Sequence, residues 1–185
     1  ISDWHKDKGS IALKDVVSAS SYVMTGKSSP RTALPVDVDE RSDLADEFWG
    51  MYGSIECIGE PQAKIQTVAA QPAMLKALAR LTYEVAYLNS DSSESEAIRV
   101  LKRIPKEVDF SHNNKFWDVY NEGLESKAKD YLPPSEGVNR DIGAKDAEGK
   151  MRFGAKHNDI VPILVDLLRY QLKLEPKKRR ARKRK

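Results

Sequence analysis

The sequence contains a single cysteine, Cys57, and three histidines, His5, His112 and His157. One cysteine excludes an internal disulfide and any zinc site built from several thiolates, and it fits a reducing compartment. No two histidines stand four residues apart, the spacing that aims two imidazoles from one helix face at a metal. No apolar run approaches the roughly 18 residues of a spanning helix. Also missing are the Gly-x-x-x-x-Gly-Lys-Ser/Thr phosphate loop, Gly-x-Gly-x-x-Gly after a strand, His-Glu-x-x-His and the Gly-x-Ser-x-Gly elbow. The opening Ile1-Ser2-Asp3-Trp4-His5-Lys6 has neither Met nor the apolar core of a signal peptide, so the chain is expected to be processed or cut from something longer.

What is present is 185 residues, 40% hydrophobic and 32% charged. That is too apolar for a disordered chain, too polar for a membrane protein, and long enough for one domain with an appendage. The net charge of +3 averages two opposed parts. Residues 177–185 read Lys-Lys-Arg-Arg-Ala-Arg-Lys-Arg-Lys, eight basic residues in nine, and three minus eight leaves −5 on residues 1–176.

The hydrophobic period is helical throughout. Ile11, Leu13, Val16, Val17, Ser20, Val23 and Met24 form one stripe between a capping Ser10 and a left-handed Gly26. Leu34, Val36 and Val38 alternate and predict at most a short edge strand between prolines. A second helix starts near Asp39 or Ser42 on Leu44, Phe48, Met51, Tyr52, Ile55 and Ile58, and Gly59 and Pro61 close it. A third runs through Met74, Leu78, Leu81, Val85 and Leu88, with Pro72 in its first turn. Ser93 and Glu96 form a capping box for a fourth, carrying Ala97, Ile98, Leu101 and Ile104 and stopped by Pro105. Ser111 is expected to cap a short helix with Phe116, Trp117 and Tyr120. Residues 121–157 read as mostly loop. The last helix begins near Asn158 or Asp159, with Pro162 in its first turn and Ile160, Ile163, Leu164, Leu167, Leu168 and Gln171 on its face. The predicted architecture is mostly α: one helical domain of about five amphipathic helices, residues 1–176, then a disordered basic tail, residues 177–185.

Three features could carry chemistry. His112-Asn113-Asn114 with His157-Asn158 invites a His-Asn-His nuclease reading, but that site needs a hairpin followed by a helix, and turn and capping roles are favoured. Trp49, Trp117, Phe48, Phe116, Tyr83 and Tyr120 could stack on bases, yet they lie on or beside apolar stripes, so core packing is favoured, with Phe110, Phe116 and Trp117 as structural anchors. The loop from Gly137 to Gly154 offers Arg140, Lys145, Lys150 and Arg152 among glycines, a composition that can grip phosphate, against the acids Asp141, Asp146 and Glu148.

The tail differs in kind, because eight like charges bury nothing. Counterion release from a nucleic-acid backbone is its natural use, ahead of an anionic membrane, an import address at Pro176–Arg180, or solubility. The expected nucleic-acid contacts are therefore Lys177, Lys178, Arg179, Arg180, Arg182, Lys183, Arg184 and Lys185, joined by Arg140, Lys145, Lys150 and Arg152.

From Ile104 to Trp117 the chain reads Ile-Pro-Lys-Glu-Val-Asp-Phe-Ser-His-Asn-Asn-Lys-Phe-Trp. This segment resembles the C-terminal half of DndB-like proteins, which are associated with DNA sulfur modification (phosphorothioation) and carry an Asp-Gly-Gln-His-Arg motif. The looser order is similar too: a helix ending Val23-Met24-Thr25-Gly26-Lys27, then Ala45-Asp46-Glu47-Phe48-Trp49, a long helix from Leu75 to Leu88, and a closing helix from Asn158 to Leu174. The Asp-Gly-Gln-His-Arg motif, linked in that family to nucleotide hydrolysis, is absent here, so no catalytic residue carries over. The resemblance implies a bacterial DNA-modification or phage-defence context. The expected function is a non-catalytic, cytoplasmic DNA-binding or regulatory module (nuclear if eukaryotic) without metal or cofactor. Its partners are DNA, with RNA left open, and other subunits of such a complex, and no membrane. The rival readings are an adaptor whose acidic body docks a protein, and a nuclease fragment.

Overall fold

The computed structural model describes residues 11–29, 35–88, 92–118, 130–131 and 142–176. Its helices are α1 (Leu13–Thr25), α2 (Pro35–Gly53), the single turn α3 (Ala63–Gln66), α4 (Pro72–Tyr87), α5 (Glu94–Glu107) and α6 (His157–Gln171). Short 3₁₀ turns stand at Val68–Ala70 and Lys115–Trp117, and two three-residue strands, β1 (Gly143–Lys145) and β2 (Met151–Phe153), pair antiparallel. The protein is mostly α, and among the described residues no helix is long and apolar enough to cross a membrane.

Helix α4 is the axis. Eleven of its sixteen residues are buried, because α1, α5 and α6 all pack on it while α2 bridges α1 and α5. A helix enclosed on several sides needs more than one apolar stripe. Ala73, Ala77, Ala79 and Ala86 supply the extra faces beside Met74, Leu78, Leu81 and Val85. Leu88, expected on the stripe, lies past the helix and is 53% exposed.

Helix α1 is rotated from its expected face. Leu13 and Val17 are exposed, and the buried line is Asp15, Ala19 and Val23, at four-residue steps. Ala19 is small enough to let α1 lie close to α4, and that closeness seals Asp15 against Lys76. The helix begins at Leu13 with Ala12 as an N-cap that makes no side-chain bond, so the cap assigned to Ser10 is replaced; Ser10 lies outside the described residues. Gly26 ends it in the left-handed region, with φ 71.

Four other boundaries depart from expectation. Val36 and Val38 form no strand, because α2 already starts at Pro35; Leu34 lies outside the described residues. Pro105 does not stop α5, which continues to Glu107; its ring removes one helical bond, to the Leu101 carbonyl, close to the end of the helix. Helix α6 starts at His157, with Lys156 as N-cap and no cap from Asn158, which puts Pro162 one turn deeper than expected. Finally, Asn114, and not Ser111, caps the turn before Trp117 through its side-chain oxygen, while the Ser111 N–H donates to Asp109.

The capping box holds: the Glu96 N–H donates to Ser93 Oγ at 3.1 Å. On α2 the expected face is the observed one, with Leu44, Phe48, Met51 and Tyr52 buried. The helix ends at Gly53, however, short of the expected close at Gly59 and Pro61, so Ile55 is buried from the turns that follow it and Ile58 lies there too. Trp117 is 2% exposed, donates Nε1–H to the Ser111 carbonyl and meets Phe153 edge to face. Phe110 is buried and Phe116 half-buried against Tyr170.

Candidate nucleic-acid interface

The segment read as a glycine-rich loop contains a β-hairpin. Lys145 pairs with Met151, and the turn closes through Asp146 N–H to the Lys150 carbonyl and Gly149 N–H to the Asp146 carbonyl, each 2.9 Å. Gly149, at φ 77, supplies the left-handed residue that such a turn requires. Gly143 serves the pairing itself, since a Cβ there would sit 2.0 Å from the Arg152 carbonyl oxygen. These two glycines build the hairpin.

Two of the expected phosphate-gripping cations are already engaged inside the hairpin. Arg152 Nε donates to Asp146 at 2.9 Å and Lys150 Nζ to Glu148 at 2.5 Å. Asp146 also accepts the N–H groups of Glu148 and Lys150. Those backbone bonds, led by Lys150 and helped by the Arg152 guanidinium, hold its carboxyl below the usual carboxylate range. Lys145 is exposed on β1. Arg140 and all eight tail residues lie outside the described residues.

What fastens the hairpin to the helices was not read from the sequence. Gln71, the N-cap of α4, inserts its side-chain amide along β2 as a neighbouring peptide would. Its Nε2–H donates to the Met151 carbonyl at 2.7 Å and its Oε1 accepts the Phe153 N–H at 2.9 Å. His112, buried, places Nδ1 3.1 Å from the Met151 carbonyl and Nε2 3.2 Å from the Lys64 carbonyl. Burial outweighs those two carbonyls and holds its pKa below the usual value. These two polar ties make His112 a strut between α3 and β2.

His157 is far from that role. Lys76 Nζ lies 2.9 Å from Asp15 and 3.1 Å from His157 Nδ1, so one ammonium joins α1, α4 and α6. Desolvation, then the Lys76 charge, holds the His157 imidazole below its usual pKa. His112 and His157 therefore serve separate hydrogen-bond sets, and their motif does not assemble. Among the described residues no group of three His, Cys, Asp or Glu side chains comes together as a metal would need. Cys57 is half-exposed, and desolvation with the neighbouring acids Glu60 and Glu56 raises its thiol pKa, which disfavours a nucleophilic thiolate.

The root of the tail is fixed to the body. Leu172 is fully buried and its carbonyl accepts from Arg103 on α5. The Leu174 carbonyl accepts the Tyr131 hydroxyl at 2.8 Å, and the Glu175 carbonyl accepts Arg169 Nη1 at 3.1 Å. Arg169 itself is buried against Glu84 of α4. The basic segment thus leaves from a determined point beside the C-terminal half of α5.

From Arg99 onward α5 carries Arg99, Lys102, Arg103 and Lys106 at three- and four-residue steps, one stripe with no acid between them. Sequence reasoning followed the apolar face of this helix and passed over the charged one, though the same spacing showed both. Arg99 pairs with Glu96, and Arg103 takes Glu107 through two 2.8 Å bonds.

Fold and site together define a mostly helical bundle with a small hairpin and a charged extension rooted on its last helix. No family model, no curated protein and no solved structure matches the chain.

Proposed function

We propose that this chain is a non-catalytic nucleic-acid-binding module, with duplex DNA as its ligand, in which residues 177–185 supply the phosphate contacts and the helical body fixes where they are held. The observation that carries it is charge segregation: eight cations in nine residues stand next to a body of net −5. A polyelectrolyte segment gains affinity by releasing condensed counterions, and phosphate charge is uniform, so the contact reads charge density and not bases. The engaged Lys150 and Arg152 leave the hairpin a minor contributor. The likeness of Ile104–Trp117 to DndB-like proteins supplies the proposed setting, a DNA-modification or defence complex. The residues that carry that likeness have structural work of their own, since Val108, Phe110 and Trp117 are core.

The test is deletion of residues 177–185, with DNA binding measured across salt. If all eight cations engaged B-DNA, log K against log salt would fall with a slope of about −7, at about −0.9 per contact. About half of that is expected for a segment that holds only some contacts at once. The truncated protein should bind far more weakly, with a flattened slope and an unchanged melting temperature. Equal affinity and slope after deletion would place the site on the body and refute the proposal, and Arg140, Lys145, Lys150 and Arg152 would then be the residues to replace.

A further inference from the structure

Helices α2 and α5 leave between them an open groove of about 1100 Å³. Its α2 wall carries Asp43, Asp46 and Glu47, and Glu94 closes one end from α5. Lys102 and Lys106 stand on the α5 side, and the lining also includes the buried Leu44, Met51 and Leu101 and the more exposed Gly50, Ile98 and Pro105. Four acids against two lysines make the groove net negative. Gly50 has open space where a side chain would stand, which widens the channel at its middle.

We propose that this groove is the docking surface for the chain's own basic segment, residues 177–185, so that the segment is held either by the body or by nucleic acid. The proposal rests on the reading of those residues as the nucleic-acid contact. Three observations favour this occupant over an outside partner. The first is charge: the segment carries eight cations and the α2 wall three acids, and attraction between unlike charges is strongest at low salt. The second is reach. Arg103 bonds the Leu172 carbonyl, and Lys106, on the groove wall, is three residues from Arg103 and so its neighbour on the helix. The segment starts five residues beyond Leu172, and nine extended residues span about 30 Å, against a helix width of about 10 Å. The third is fit. Lysine and arginine stems are apolar and can lie along Ile98, Pro105 and the open Gly50 position while their charged ends meet the acids. Tethering raises the local concentration of the segment to about millimolar, so even weak pairing competes.

Energy transfer tests this without nucleic acid. In a Cys57→Ser background, one dye is placed at Gly53→Cys on α2 and the other at Lys185→Cys. Transfer should be high at about 10 mM salt and fall towards 1 M, as the Debye length shrinks from about 30 to 3 Å. It should be independent of protein concentration. The variant Asp43→Asn/Asp46→Asn/Glu47→Gln should lose the salt-dependent transfer, whereas Glu56→Gln/Glu60→Gln/Asp118→Asn, of equal net charge, should keep it. With unlabelled proteins the groove variant should also bind DNA about threefold tighter than that control, if the segment is docked about two-thirds of the time. Salt-independent transfer, or equal loss in both variants, overturns the proposal. Transfer that grows with concentration overturns it too, by assigning the groove to the segment of a second copy. Intact, groove-dependent transfer with no DNA binding would leave the docking surface standing and refute the functional reading alone.

Discussion

Glu84 should be far costlier to remove than Arg169, although each is half of the same buried pair. Arg169 Nη2 lies 3.3 Å from Glu84 Oε2, and the two side chains are 5% and 2% exposed. Glu84 has a second cation: Arg80 Nε, one turn away and 28% exposed, is 3.0 Å from its other oxygen. Arg169 has beside Glu84 only the Glu175 carbonyl, and its Nε finds no partner among the described residues. Glu84→Leu therefore strands a cation in the interior, which costs about 3–5 kcal/mol. Arg169→Met leaves a carboxylate that Arg80 still neutralises, and its cost should stay near that of a charged hydrogen bond, about 1.5–3 kcal/mol. The double variant removes both charges and should recover most of the loss, because apolar replacement of a whole buried pair is often neutral. At about 2–4 °C per kcal/mol for a chain of this size, Glu84→Leu should melt roughly 6–20 °C lower. Urea midpoints for the three variants, at unchanged slope, measure the differences. Equal costs for the two single variants, or a double variant as unstable as their sum, would refute the argument from the second cation.

Stability should also depend on pH below neutrality. His112 and His157 both have pKa values lowered from the usual 6.5 by burial, so between the folded values and about 6.5 the unfolded chain binds more protons. The contribution is complete above about 6.5 and is lost as pH falls below it. Urea midpoints from pH 8 to pH 5 should fall, and His112→Gln/His157→Gln should flatten the fall; a midpoint that rises on acidification would contradict the assignment. Trp117→Ala should cost about 3–5 kcal/mol, as expected for emptying a buried aromatic site. A variant that keeps its melting temperature but loses nucleic-acid binding would make Trp117 a stacking platform instead.

The long helices were legible because their apolar residues recur at the helical period and tertiary contacts only reinforce that period. α2 and α5 illustrate this: Leu44 to Tyr52 and Ala97 to Ile104 lie on the faces their spacing predicts, although α2 ends at Gly53, before the expected Ile55 and Ile58. The rotation of α1 was not legible, since a stripe score favours Leu13 and Val17 while close approach to α4 selects Ala19 beside the sealed Asp15. The hairpin was hidden for a similar reason. Its strands are three residues long, too short for alternation to register, and their support comes from Gln71, about 80 positions away. The turn residues Asp146 and Gly149 were visible but read as loop chemistry. Charges were the least legible. Sequence spacing places Lys150 and Arg152 in a basic set, but only the folded turn shows that Glu148 and Asp146 engage them.

The clamp at the base of the tail also decides how a pull would travel. A bound polymer drawing on residue 176 would load three crossing bonds, from Arg103, Tyr131 and Arg169, before it reached the hydrogen bonds of α6. Those three side chains belong to different parts of the chain, and Arg169 passes its share on to Glu84 in the central helix. Tension would therefore spread into the bundle instead of peeling the last helix from its end. A pull at residue 176 would thus be met by the bundle and not by its last helix alone.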